Sequence, residues 1–167
     1  MAMEPVASRP YMPDYGIEPA DAGTGLLSWS SAVQQLRDSR NYWLATRWPD
    51  GRPHVMPVWA VWGGEALWFS SGLHARKAQN LLADSRCVIT TEDALNPVVV
   101  EGVVDKCDDN TSKQSYLDLT NDKYATDYGL DFLDPATTAV FRVRPVWAFA
   151  LRHDDFTGSP TRWQWHN

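Results

Sequence analysis

A chain of 167 residues with 44% hydrophobic and 22% charged side chains carries enough apolar material for one packed core and too much to remain disordered. Its formal net charge of −6 sets the surface against nucleic-acid phosphates, so nucleic-acid binding is not expected. No apolar run approaches membrane-spanning length and the first residues lack the charged-then-apolar signature of a secretory signal, so no membrane partner and a cytoplasmic address are expected.

Residues 1–27 are rich in Pro and Gly and also carry Tyr11, Met12, Tyr15 and Ile17; they read as an N-terminal arm, ordered or partly mobile, ahead of one domain over 28–167. Ser28 or Ser30 caps a helix running to about Ser39, with Trp29, Val33 and Leu36 along one face. Residues 41–48 read as a strand, Pro49–Arg52 as a tight turn in which Asp50-Gly51 supplies the positive φ, and residues 53–62 as the return strand. Val55, Pro57, Trp59 and Val61 alternate with His54, Met56, Val58, Ala60 and Trp62. Both faces of that strand are largely apolar, so both are expected to be covered, as in a barrel wall that also meets a second subunit. Pro57 lacks an N–H and should mark an edge, a bulge or a gap in pairing.

After Gly63-Gly64 comes a strand over 66–71, then a short helix from about His74 to Asp84 with Ala78, Leu81 and Leu82 inward. Strands at 86–92 and 97–107 follow, with Gly102 marking a bulge or a close backbone approach beside an outward Glu101. Asp108 or Asp109 caps a helix over 109–124, and residues 125–137 form an irregular link. Strands at 138–144, 146–152 and 161–165 close the chain. Roughly six or seven strands with few helices point to a mostly β protein, a barrel decorated by helices, and not to a parallel α/β sheet.

One stretch carries chemistry. Ser70-Ser71-Gly72 ends a strand, a helix begins at once, and Arg76-Lys77 fall in its first turn. A helix start exposes unpaired N–H groups and partial positive charge, a poor place for two cations unless an anion sits there. Hydroxyls, free N–H groups, an Arg and a Lys together suit a phosphate. The competing reading is ordinary solvated surface charge. Asn80, one turn on, would reach the same anion.

The run L-A-T-R-W-P-D-G-R-P-H-V-M-P-V-W, then L-W-F-S-S-G with A-R-K-A-Q-N-L, then V-V-V-E-G-V-V, resembles the flavin-reductase-like split-barrel superfamily. That group includes pyridoxamine 5′-phosphate oxidase and the F420-dependent reductases. The closing T-R-W-Q-W after F-R-V-R-P resembles the F420 branch. The resemblance implies a split β-barrel homodimer with a cofactor at the subunit interface. It places Val55, Met56, Pro57, Val58 and Trp59 on the cofactor strand, and Ser70, Ser71, Arg76 and Lys77 at the phosphate. Arg162 and Trp163, with Trp165, would approach the ring or a substrate, or simply cover the barrel. Met56 and Val61 stand where pyridoxamine phosphate oxidases are expected to carry an Arg and a Lys, which favours F420 over FMN. The implied activity is hydride transfer between F420 and a small reducible organic substrate. The alternatives are an FMN-dependent oxidase or reductase, and a non-catalytic carrier or sensor of such a cofactor.

The remaining groups give no second chemistry. Cys87 and Cys107 read as buried apolar residues, without a disulfide or metal pattern. His54, His74, His153 and His166 have no metal-ligand spacing, so no metal is expected. The nine Trp suit either a β-rich core or flat ligands. No nucleophile–base set can be assembled, which suits a protein whose cofactor supplies the chemistry.

Overall fold

Alternation of apolar and polar residues builds most of the sheet. The computed structural model describes residues 4–165. In β2 (Tyr42–Arg47) the side chains of Tyr42, Leu44 and Thr46 point inward and are buried, while Trp43, Ala45 and Arg47 face out. A turn closed by Gly51 at φ +91° reverses the chain into β3 (Pro53–Val58), which pairs antiparallel with β2 from Tyr42↔Val58 to Arg47↔Pro53.

The expected single return strand over 53–62 is instead two strands. Trp59 and Ala60 leave the ladder, and β4 (Val61–Gly63) pairs with β5 (Ala66–Gly72), not with β2. The sheet therefore runs β1 (Val6–Ser8), β9 (Thr161–Gln164), β8 (Thr138–Ala150), β7 (Val98–Cys107), β6 (Arg86–Thr91), β2, β3, with β5 on β8 and β4 on β5. The β3 and β4 edges are joined by the chain itself and not by ladder hydrogen bonds, which makes the barrel a split one. Pro57 accordingly sits on an edge strand, where a missing N–H costs no ladder bond.

β8 is one strand, where two separated at Pro145 were expected. Pro145 lies opposite Gly102, at a register shift between Glu101 and Gly102 that leaves Val146 as an extra residue. The irregularity absorbs the proline without ending the strand. Gly102 is required there, since a Cβ would lie 2.6 Å from Val143 Cγ1 and 2.7 Å from the Arg144 carbonyl oxygen. Glu101 is exposed, as its outward reading requires.

The arm contributes a strand that the Pro/Gly content concealed. β1 (Val6–Ser8) pairs with β9, and Arg9 donates to the carbonyls of Pro160, Pro19 and Ala22.

Three helices close the openings. α1 (Trp29–Asp38) starts at Ser28, whose hydroxyl accepts from Ser31 N–H, and buries Ala32 and Leu36. α2 (Arg76–Ala83) buries Ala78, Asn80 and Leu81, whereas Leu82, expected inward, is 48% exposed. α3 (Asn110–Tyr124) is capped by Asp109, and a 3-10 turn at Leu130–Leu133 follows it. The main core gathers Leu36, Leu44, Phe69, Ile89, Val100, Phe141 and Trp163, and a second cluster beneath α3 gathers Val61, Trp68, Tyr116, Leu117 and Leu133. Both cysteines are buried and free; burial pushes the Cys87 thiol up to about 12. Among the described residues, no helix is long and apolar enough to cross a membrane.

Candidate functional site

The step from β5 to α2 brings two cations to a helix start. β5 ends at Gly72, Ala75 N–H folds back onto the Gly72 carbonyl, and α2 begins at Arg76. Ala75 occupies the cap position, so no side chain accepts from the first-turn N–H groups, and the first turn holds no acidic residue. Seven ion pairs join cations and carboxylates among the described residues, and Arg76 and Lys77 take part in none of them. Two cations outside these ion pairs thus stand at a helix start whose first-turn N–H groups no side chain caps, an arrangement with the capacity to take an anion.

Beside this step lies a cleft of about 230 Å³. Pro57, Val58 and Trp59, from the end of β3 and the strand break, line it together with Ser70 and Lys77. Five residues singled out from the sequence thus meet in one space. Ser70 Oγ accepts a hydrogen bond from the Tyr116 hydroxyl at 3.0 Å, which leaves the serine's own proton free to donate.

The other expected site residues are placed elsewhere. Arg76 does not line the cleft; its guanidinium lies 4.0 Å from the centre of the Trp48 ring, which Arg52 also covers at 4.6 Å. Ser71 is buried and donates to the Gly72 carbonyl. Asn80 is fully buried and its amide donates to Thr46 Oγ1 at 3.0 Å, so it does not extend toward the anion as expected; its place on the inner side of α2 turns it toward β2. Val55 and Met56 are exposed on β3, outside the cleft. Trp163 is 1% exposed and packs against Trp29 with ring centres 5.3 Å apart, so it is a core residue and not a ring-side one. Arg162 stands on the outer sheet face, donating to Ser8 Oγ. His54 is half-buried beside Thr46 and Trp48, His74 and His153 are exposed, and His166 lies outside the described residues.

Four lining residues escaped the sequence reading: Tyr116, Thr120, Tyr128 and Phe132. With Tyr124 they recur every fourth position from 116 to 132: Tyr116, Thr120 and Tyr124 on α3, Tyr128 in the loop after it and Phe132 in the 3-10 turn. That i, i+4 spacing was the available signal. Tyr128 and Phe132 stack at 4.0 Å, and Trp59 stacks on Tyr124 at 4.3 Å and 2°. The lining of the cleft therefore combines a cation and hydroxyls with aromatic rings. That combination fits a flavin-type group, which joins an anionic tail to a flat ring.

A family profile described as pyridoxamine 5′-phosphate oxidase matches residues 30–152. The chain belongs to that family. Membership supports the binding of a flavin-type cofactor. No curated protein matches the chain. Among solved structures, an F420 reductase is 27% identical, covering 73% of this chain and 96% of its own, with a TM-score of 0.57. A conserved hypothetical protein of Mycobacterium tuberculosis is 22% identical over 76% of this chain and 86% of its own, with a TM-score of 0.67. An FAD-binding protein of Mesorhizobium loti is 18% identical over 83% of this chain and 96% of its own, with a TM-score of 0.58. The last two share the family's fold.

Proposed function

We propose that the cleft holds F420 by its phosphate, and that the protein is an oxidoreductase acting on a small reducible organic substrate. The observation that carries this reading is the meeting of Lys77, Ser70 and the uncapped start of α2 with the aromatic wall of Trp59 in one cleft. Lys77 and Ser70 would hold the tail, with Arg76 adding charge from its seat on Trp48. Pro57, Val58 and Trp59 would border the ring and exclude water. The bound deazaflavin supplies hydride transfer; the protein supplies placement. Two observations support F420 over FMN. Val61 is buried in the second core cluster and Met56 lies on the edge strand, so neither position offers the cation expected of a pyridoxamine phosphate oxidase. The likeness to an F420 reductase points the same way.

The same reading includes a second copy of the chain. A cleft of about 230 Å³ falls below the roughly 300–1,000 Å³ of pockets that enclose a drug-sized ligand. The outer sheet face carries a cross-strand row Pro57–Trp43–Thr90–Val99–Phe149–Arg162. Trp43, Val55 and Val146 on or beside it are 47%, 51% and 51% exposed, and for Val55, on the 53–62 run, cover was expected. Pairing two such faces would bury them, enlarge the cleft and carry Arg162 toward the partner.

Turnover tests the redox half of the reading. Protein mixed with reduced F420 and a panel of enones, quinones and nitroaromatics should regenerate the absorbance of oxidised F420 with at least one acceptor. Tight binding without oxidation across the panel would instead support a carrier or sensor.

A further inference from the structure

The break at Trp59-Ala60 poses a problem that the structure solves with two consecutive residues of α3. Ala60 has left both ladders and is 1% exposed, so its N–H and C=O must find partners other than water. Its N–H donates to the Tyr124 hydroxyl at 3.0 Å. Its carbonyl accepts from Lys123 Nζ at 2.9 Å. The tyrosine's single proton then serves two carbonyl acceptors, Arg40 at 2.9 Å and Ala60 itself at 3.0 Å. Lys123 also donates to the Tyr42 hydroxyl at 2.7 Å, and Tyr42 in turn donates to the Leu36 carbonyl. The lysine is thus anchored to β2 and, through Tyr42, to the end of α1. The Tyr124 ring whose hydroxyl receives Ala60 N–H is also the surface on which Trp59 lies flat. One face of Trp59 is covered by that ring, and the residue remains 48% exposed and lines the cleft.

We infer that Lys123 and Tyr124 are positioning residues of the cleft: by holding both backbone groups of Ala60 they fix Trp59 as the wall against which the flat part of a ligand lies. The inference rests on the proposed cofactor site and adds a division of labour to it. Lys77 and Ser70 serve the anionic tail, whereas Lys123 and Tyr124 touch no ligand and act on the ring through Trp59. A variant at Lys123 should therefore spare the tail and harm the ring.

The test compares Lys123→Met, Tyr124→Phe and Lys77→Ala with the wild type. Tyr124→Phe keeps the stacking face and removes the hydroxyl that accepts from Ala60 N–H and donates to the Arg40 and Ala60 carbonyls. The Trp59 signal, taken as the difference between each protein and its Trp59→Phe counterpart, should shift to the red and become more open to acrylamide quenching in the first two variants, and stay unchanged in Lys77→Ala. Affinity for FMN and for F420 should fall about tenfold in the first two, the loss of roughly one charge-assisted or buried hydrogen bond. Affinity for glycerol 3-phosphate, which has a tail and no ring, should hold in those two and fall only in Lys77→Ala. A Trp59 signal identical to wild type in both Lys123→Met and Tyr124→Phe would overturn the inference, as would equal losses for ringed and ringless ligands. If Lys123→Met does not fold, Tyr124→Phe decides alone. Failure of wild type to bind FMN, F420 or glycerol phosphate would remove the cofactor reading, while the Trp59 signal would still test the clamp.

Discussion

Tyr116 on α3 donates its hydroxyl proton to Ser70 at the end of β5 across 3.0 Å, so the helix that supplies the aromatic wall also orients a hydroxyl of the cleft. Tyr116→Phe should leave the serine without its donor. The expected cost is about 1 kcal/mol of stability. Affinity for glycerol 3-phosphate should fall by a few-fold because the serine proton is no longer aimed. Chemical denaturation and titration of the same variant check the two effects separately.

The two cations at the start of α2 are not equivalent. Lys77 lines the cleft and Arg76 lies on the Trp48 ring. Lys77→Ala should weaken phosphate-ligand binding by about 1.5–3 kcal/mol, the worth of a charge-assisted hydrogen bond. Arg76→Ala should cost less, and raising the salt concentration should narrow the gap further for the exposed Arg76 than for Lys77. Titration of both variants at two ionic strengths gives the ranking; the reverse order would mean that the cleft is not where the tail sits.

The bulge at Glu101/Gly102 predicts a stability effect remote from the site. A Cβ on Gly102 would press on Val143 and on the Arg144 backbone, and backbone cannot swing aside. Gly102→Ala should lose about 1–3 kcal/mol. A lower urea midpoint with an unchanged slope would confirm that folded packing, and not the denatured state, is the cause.

Lys123 gives a pH dependence with a definite sign. Burial, helped by the neighbouring Arg40 guanidinium and opposed by Asp38 and Glu92, lowers its ammonium from 10.5 to about 8. Between pH 8 and 10.5 the unfolded chain therefore holds a proton that the native chain has released. Stability rises with pH wherever the unfolded state binds more protons, so this residue's contribution should grow across that window and be flat below it. The Tyr124 hydroxyl is raised to about 12 by burial and stays protonated throughout. Wild type measured against Lys123→Met from pH 7 to 10 should show the slope, and parallel curves would refute it.

Much of this architecture was readable where local chemistry speaks plainly. The Ser28 cap, the Asp50-Gly51 turn, the Asp109 cap and the Gly102 bulge each follow from one residue type in one place. The parts that stayed hidden depend on pairing between distant segments. Nothing near Val6 says that it will find Gln164, and an alternating run over 53–62 does not reveal that its two halves join different strands. The site divides in the same way. Ser70 and Lys77 stand out because a strand end and a cationic helix start are neighbours in sequence. Tyr116, Tyr128 and Phe132 come from a later part of the chain, the first on α3 and the other two in the link after it, and nothing local says that this helix and link will close over the strand break. Trp163 misled because an aromatic near the end of the chain suits a ring and a core equally well; only its 1% exposure separates them.

The most direct test of the cofactor site is a parallel titration of the purified protein with F420 and FMN, followed by ligand fluorescence and repeated with Lys77→Ala. Saturable quenching of F420, weaker binding of FMN, and a loss of about tenfold or more for either ligand in the variant are expected. Absence of binding for both ligands, or affinities that Lys77→Ala leaves untouched, would contradict the assignment of the cleft.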